Sequence, residues 1–505
     1  MDAAKMQYPV YDAAGAQAID AQAISLLAGS GESLMRSAAA AAARVVRGRF
    51  ADARQIVVVA GSGNNGGDGY EVARLLQNDA RTVRIIRVSA RPANGDAATM
   101  LSEAIAAKIL LLERPDGAIG DELVGADLIV DALLGTGATG APTGAIGEAI
   151  VAISASGCPV VALDIPSGVD ASTGEVPGAA IRADVTVSFA SAKLGLMVAP
   201  GCEYAGDVIV VPIGVPDGVK VAPVAIAVTD GRDLLPSRSI GGSKYDAGAL
   251  LVIGGSVGMA GAPTLVAEAA LRAGAGVVTV LVPEAIQTTV AGTIREAMVR
   301  PLASVRVERQ IADYAERARA VVLGPGLGRE PGVEELVRAT LALDRPLLVD
   351  ADALWWVARE PALLRQRTAT TVITPHAGEA AKLLDVEAEW IAEHRLQAVR
   401  LLVEATGAVA LLKGRDTLVL SPEGRLAIRA LDSASLATAG SGDVLAGIIG
   451  ACMARGADSW TAAIGGAAAH VQSARTATVA RRGGAIIAGD LIEHLQVLGR
   501  PGSTL

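Results

Sequence analysis

Aromatic side chains are scarce in this sequence. Phe, Trp and Tyr make up 2% of its 505 residues, so platforms on which nucleobases could stack along a strand are nearly absent. Positive charge is also short. The formal net charge is -9, which argues against binding a phosphate backbone and makes nucleic acid an unlikely partner. Only three cysteines occur, Cys158, Cys202 and Cys452. They lie far apart with no CxxC pair, which fits neither a disulfide framework nor a thiolate zinc site and points to a reducing, cytoplasmic setting. No uninterrupted apolar run approaches the roughly 18 residues of a membrane span. The opening Met1-Asp2-Ala3-Ala4-Lys5 lacks the basic segment and apolar core of an export signal.

What is plentiful is small and apolar. Hydrophobic residues reach 51%, charged residues 19%, and glycine occurs 58 times, a composition suited to closely packed layers. The length favours more than one core. Short β-branched runs alternate with Ala-rich helical stretches, as expected for parallel sheets covered by helices on both faces. The expected class is α/β. One series of strands is predicted at Gln55–Ala60, Val83–Val88, Asp127–Asp131, Pro159–Asp164 and Val185–Ser188, with helices such as Ser33–Arg47 and Asp68–Asn78 between them. A second series covers Leu250–Gly254, Val277–Val282, Ala320–Gly324, Pro346–Asp350, Thr371–Pro375 and Val409–Lys413. The Pro- and Gly-rich Val211–Gly218 separates the two. This gives domains of 1–225 and 226–505. The apolar stretch Ala439–Met453 contains Asp443 and reads as a buried helix.

Strand Gln55–Ala60 runs into Gly61-Ser62-Gly63-Asn64-Asn65-Gly66-Gly67-Asp68-Gly69, with helix expected from Tyr70. Gly61, Gly63 and Gly66 satisfy G-x-G-x-x-G, in which glycines admit a pyrophosphate and free helix amides bind its charge. The acid that a redox fingerprint needs after the next strand is missing, because Ser89-Ala90-Arg91 stands there. Asn64, Asn65 and Asp68 make the loop unusually polar. Asp131 and Asp164 close two later strands, and strand carboxyl ends line the ligand crevice of an open parallel sheet. Taken singly, each could be a helix cap or turn residue.

Gly63–Gly69, Val130–Gly135, Leu163-Asp164-Ile165-Pro166-Ser167-Gly168 and Ala192-Lys193-Leu194-Gly195-Leu196 together resemble the NAD(P)H-hydrate epimerase family across most of residues 1–222. The resemblance implies a Rossmann-like doubly wound domain. It implies that Asn64, Asn65, Gly66, Gly67 and Asp68, with Gly135, Thr136, Gly137, Ala138, Thr139, Gly140 and Ala141, hold the hydrated dinucleotide, and that Asp164 contacts it. Asn65, Asp131 and Ser167 would bind potassium. An all-oxygen set suits a hard cation, although spacing alone does not select potassium. Inversion at C6 of the hydrated ring needs a proton carrier; Asp164 is the first candidate and Lys193 the second.

In the second half, Gly440-Ser441-Gly442-Asp443 opens an apolar helix, placing glycine amides and a carboxylate where phosphoryl transfer could use them. Gly324–Gly328, Asp350–Leu354, Thr374–Glu379 and Leu412–Thr417 follow successive strands. With Gly254-Gly255-Ser256 and Met259–Pro263, these motifs are similar to the ADP/ATP-dependent NAD(P)H-hydrate dehydratases of the ribokinase-like superfamily, from about Gly241 to Leu495. The resemblance implies that Ala262, Gly326, His376 and Asp443 bind the hydrate, that Lys413, Gly414, Arg415, Asp416, Thr417 and Gly442 bind nucleotide, and that Asp443 is the base. The small-molecule partners would be NADHX, NADPHX and ADP, the last used by bacterial members where eukaryotic ones use ATP. Magnesium is expected with the nucleotide, and a homo-oligomer is expected. Two stretches depart from the family pattern, Asp432-Ser433-Ala434-Ser435 and Ala469-His470-Val471-Gln472. The Gly440–Asp443 loop would equally serve a ribokinase-like kinase of a thiazole or pyridoxal alcohol, but His376 and Gly324–Gly328 favour the dehydratase. A reading of another class is a non-enzymatic ligand-binding protein, separable by a turnover assay.

Overall fold

The computed structural model describes residues 7–27, 29, 31–77, 81–230, 243–430 and 436–495. The chain divides into two compact units, one holding Pro9–Ile226 and the other Ala227 onward together with Gln7 and Tyr8. The departure at 432–435 and the first residues of the second resemblance, from Gly241, lie outside the described residues.

In the first unit seven strands pair in parallel in the order Leu110–Glu113, Thr82–Arg87, Gln55–Ala60, Leu128–Ala132, Val160–Leu163, Val185–Phe189 and Asp207–Val211. Alternate residues of the third strand enter opposite cores. Ile56, Val58 and Ala60 pack in one cluster with helices Glu32–Arg49 and Asn64–Gln77, whereas Val57 and Val59 pack in another with helix Gly144–Ala155. Two covered faces require apolar residues at consecutive positions, which is what makes such strands visible in a sequence. Helix Glu32–Arg49 is Ala-rich, with Glu32 in its first turn and Arg47 and Arg49 in its last, matching both propensity and macrodipole.

One boundary differs from expectation. The helix after Gln55–Ala60 starts at Asn64, ahead of the expected Asp68 to Tyr70, and so absorbs most of the glycine-rich run. Its glycines are poor helix formers but allow close approach: a Cβ on Gly66 would stand 2.2 Å from the Gly61 carbonyl oxygen, and one on Gly67 2.8 Å from Met35 Sδ. Tertiary packing overrides propensity here. At its other end the helix is described to Gln77, so the predicted Asn78 lies outside the described residues.

The second unit orders nine strands as Met298–Leu302, Val277–Pro283, Ala249–Ile253, Ala320–Leu323, Leu347–Val349, Thr371–Ile373, Val409–Leu412, Asp416–Leu420 and Leu426–Ala430. All pair in parallel up to Val409–Leu412, and the last two join antiparallel. Helix Ser441–Ala454 is buried from Val444 to its end. A Cβ on Gly447 would sit 2.3 Å from the Val266 carbonyl oxygen of helix Gly261–Arg272, and one on Gly450 2.5 Å from Val322 Cγ2. Among the described residues no helix is long and apolar enough to cross a membrane.

In each sheet chain order reverses beside one strand, Gln55–Ala60 in the first and Ala249–Ile253 in the second. Crevices at the carboxyl ends of such strands are where open α/β sheets bind ligands.

Candidate active sites

A cavity of about 920 Å³ opens at the first switch point and is lined by Asn64, Asn65, Asp68, Thr136, Asp164 and Lys193, among others. Gly135, Gly137 and Ala138 also line it, whereas Gly66, Gly67, Thr139, Gly140 and Ala141 do not. Gly66 and Gly67 are packing contacts, and Ala141 lies against Gly178.

Asp164 has a left-handed backbone, φ 65°, a conformation that Asn and Asp tolerate better than most residues. Lys193 Nζ donates to its Oδ1 at 2.5 Å, the Phe189 amide reaches the same oxygen at 3.4 Å, and Thr136 Oγ1 donates to Oδ2. Burial raises the Asp164 carboxyl, but the Lys193 charge and these hydrogen bonds outweigh it and hold the group below its usual range. Asp68, 8% exposed, goes the other way. Burial first, then the charges of Asp164 and Asp20, push it well above the carboxylate range despite Lys193. One cavity therefore holds two carboxyls whose proton affinities are pushed in opposite directions, the separation that acid/base chemistry uses.

Beneath it lies the predicted cation set. Asp131 and Ser167 are fully buried. Ser167 Oγ and amide donate to Asp131 at 2.7 and 2.8 Å, and the Leu133 amide donates at 3.2 Å. Burial nevertheless pushes Asp131 up to about 6. Asn65 Nδ2 donates to the Leu134 carbonyl at 2.7 Å, while its Oδ1 is buried without a hydrogen-bond partner. An orphaned buried carbonyl oxygen is costly unless something occupies it.

In the second unit a cavity of about 780 Å³ is lined by His376, Lys413, Gly414, Arg415, Thr417 and Gly442, with Leu436, Leu445 and His470. Lys413 Nζ donates to Asp350 Oδ1 at 2.9 Å and lies 3.7 Å from Glu379. A Cβ on Gly442 would be 3.8 Å from the same nitrogen. Burial lowers the Lys413 ammonium, but Asp350, Glu379 and Asp443 together raise it above its ordinary value. Asp443, in the first turn of its helix, is pushed up to about 7, by burial first and also by Asp350, with Lys413 opposing. That is where a general base working near neutrality should titrate. Ala262 and Gly326 come together, a Cβ on Gly326 standing 3.0 Å from the Ala262 Cβ. Neither they nor Asp443 line the nucleotide-sized cavity. His376 caps helix Ala377–Leu384, its Nδ1 accepting from the Gly378 and Glu379 amides at 3.0 and 3.4 Å.

Asp416 is placed differently from its neighbours. It begins a strand, is 1% exposed, and its Oδ1 lies 2.5 Å from Arg395 Nε, itself 5% exposed. Its side chain belongs to the core beneath the turn Lys413-Gly414-Arg415. Asp416→Ala should therefore act on stability, costing about 3–5 kcal/mol because Arg395 is left buried and unpaired. Urea unfolding measures this, and a loss under about 1 kcal/mol would show that the pair is inconsequential.

Two family models divide the chain as the two units do: one described as YjeF-related protein N-terminus matches residues 31–195, and one described as NAD(P)H-hydrate dehydratase matches 250–496. The bifunctional NAD(P)H-hydrate repair enzyme Nnr of Moorella thermoacetica is 39% identical, over 88% of this chain and 87% of that protein. The chain belongs to the bifunctional NAD(P)H-hydrate repair enzymes. The Escherichia coli repair enzyme is 36% identical over 93% of this chain and 89% of its own length. A solved ADP/ATP-dependent NAD(P)H-hydrate dehydratase from Bacillus subtilis aligns with TM-score 0.47 and 26% identity, covering 52% of this chain and 92% of that one.

Within this repair enzyme two site residues escaped sequence reasoning. Asp20 lines the first cavity from helix Ala13–Leu26. Burial pushes it up to about 6, with Lys193 opposing and Asp164 adding. An isolated Asp in an Ala-rich helix carries no motif. His470 lines the second cavity from helix Ser459–Ala480, and burial pushes its imidazole down to about 4. The unusual Ala469–Gln472 segment was the available signal.

Proposed function

We propose that residues 1–225 interconvert the R and S hydrates of NADH and NADPH, and that residues 226–505 dehydrate the S form with ADP, releasing AMP and phosphate, in the cytoplasm. In the first unit Asp164, held ionised by Lys193 and Thr136, is the proton acceptor. Lys193 orients it, and Asp68, whose carboxyl is pushed toward its protonated form, is a donor in the same cavity. Asn64 and the start of its helix, with Gly135–Ala138, receive the dinucleotide phosphates. The orphaned Asn65 Oδ1 above Asp131 and Ser167 supports a bound potassium; when present, the ion supplies fixed positive charge under the loop.

In the second unit Asp443 takes the proton from the C6 hydroxyl as that oxygen attacks the β-phosphorus of ADP and AMP leaves. The C6–O bond then breaks with phosphate as the leaving group, assisted by the ring nitrogen lone pair, and loss of a C5 proton to the departing phosphate forms the C5–C6 double bond of the reduced nicotinamide. Lys413, Arg415, Thr417 and the Gly442 amide hold the nucleotide, while Ala262, Gly326 and His376 border the hydrate. Magnesium would come with the nucleotide, held by its phosphates, and would supply positive charge against the transferring phosphoryl group. The observation that carries the reading is Asp443 at a glycine-amide helix start, charge-coupled to Lys413 in the nucleotide cavity.

The test is recovery of reduced-nicotinamide absorbance from prepared hydrate with ADP, ATP or neither. No recovery with either nucleotide would reject it. Across pH, kcat/KM for dehydration should rise and level off with a midpoint near 7, because Asp443 must be ionised to accept the proton. A profile flat from pH 5 to 9 would exclude this base.

A further inference from the structure

The segment Ser89-Ala90-Arg91 stands where a redox dinucleotide fold carries an acid, and the repair reaction as described gives it no task. It follows strand Thr82–Arg87, one step from Gln55–Ala60 on the side away from Asp164, and all three residues line the 920 Å³ cavity. Asp164 follows Val160–Leu163, three strands across the sheet. At about 4.8 Å per strand the two ends of the lining are separated by roughly 14 Å. The start of helix Asn64–Gln77 lies between them, and a Cβ at Gly63 would meet no atom within 4 Å, leaving backbone open to the cavity. An extended dinucleotide with its reacting ring at Asp164 and its pyrophosphate at this helix start brings its adenosine ribose to the end of Thr82–Arg87, the arrangement of doubly wound folds.

The chemistry at that end is cationic. Ser89 Oγ accepts from the Arg91 amide at 3.0 Å and Arg87 donates to the Arg91 carbonyl at 2.7 Å, so the turn is pinned through its backbone. Arg87 is itself paired with Glu113 at 2.8 Å. The Arg91 side chain is exposed, and its guanidinium makes no hydrogen bond or ion pair with the described residues. An acid here would accept from a ribose 2′-hydroxyl, whereas a guanidinium fits a phosphate bidentately. Asp96 also lines this end, but its carboxylate lies beside Gly31.

We propose that Arg91 binds the 2′-phosphate of NADPH hydrate and makes the epimerase unit prefer the phosphorylated substrate. This rests on the epimerase reading of the cavity. In the full-length protein, Arg91→Ala should raise KM for epimerising R-NADPHX roughly tenfold, the scale of one charged hydrogen-bonding contact, while leaving kcat and the KM for R-NADHX within about twofold, as expected when uniform binding alone is lost. Equal shifts for both substrates, or none for either, would overturn it. A binding arm does not depend on turnover: calorimetry should show Arg91→Ala weakening adenosine 2′,5′-bisphosphate but not 5′-AMP. Unchanged bisphosphate affinity would reject the Arg91 assignment, whereas absent epimerisation in wild type with normal bisphosphate discrimination would reject only the epimerase reading. Thermal unfolding should match wild type, since the substitution leaves both backbone contacts of the turn in place.

Discussion

Asp443→Asn should lower kcat for dehydration of the S hydrate on the order of 10²-fold or more, about 2.7 kcal/mol of transition-state stabilisation. Asparagine keeps the size of the side chain and its place in the first turn, but its amide cannot take the hydroxyl proton as phosphoryl transfer begins. ADP affinity should change little, because Lys413, Arg415, Thr417 and Gly442 line the cavity and Asp443 does not. The substitution also removes a group that burial and Asp350 hold at the edge of ionisation near neutral pH, so folding should not suffer. Steady-state turnover with ADP, calorimetric ADP binding and a melting curve separate these effects. Turnover within a few-fold of wild type would eliminate Asp443 as the base.

Asp164→Asn should reduce epimerisation by roughly 10²–10⁴-fold while leaving dehydration of the S hydrate by the same chain intact. Asparagine is the suitable replacement because it accommodates the positive φ at this position. It has a second consequence, since Lys193 is 2% exposed and loses its counter-ion. Breaking a buried pair in this way costs about 3–5 kcal/mol. The double variant Asp164→Asn with Lys193→Met should recover much of that stability without recovering exchange. Near-normal exchange in the single variant, measured after subtracting spontaneous epimerisation, would move the proton transfer to another group of the cavity.

Elements buried on both faces were legible in the sequence. Gln55–Ala60 has the predicted bounds, and each of the six strands predicted in the second half lies within one or two residues of an observed one, because unbroken β-branched runs bounded by glycine or aspartate have few other solutions; the edge strand Met298–Leu302 was not foreseen. Leu110–Glu113 was not foreseen; it is a sheet edge with two exposed and two half-buried residues, too little pattern to register. The hairpin Asp416–Leu420 with Leu426–Ala430 was missed for another reason. The motif Lys413–Thr417 reads as one ligand loop, yet the chain turns within it and sends Asp416 into the core. Strand ends located Asp164 and Lys413, and the glycine-rich start of an apolar helix located Asp443. They could not locate Asp20, whose position depends on a helix folding over the crevice rather than on the sheet.

The close seating of helix Ser441–Ala454 through Gly447 and Gly450 bears on how this enzyme could be engineered. Replacing helical glycines by alanine is a standard way to stabilise a protein, since it narrows the unfolded ensemble and improves helix propensity. In this helix the same change would drive a methyl group into the Val266 carbonyl or Val322 and lever the helix outward. Asp443 rides on that helix one turn away from Gly447, so the displacement would be transmitted to the proton acceptor. Thermostabilising libraries should therefore leave these two positions alone and look for their gains at glycines such as Gly48, on the outer helix Glu32–Arg49, where an added Cβ meets nothing within 4 Å.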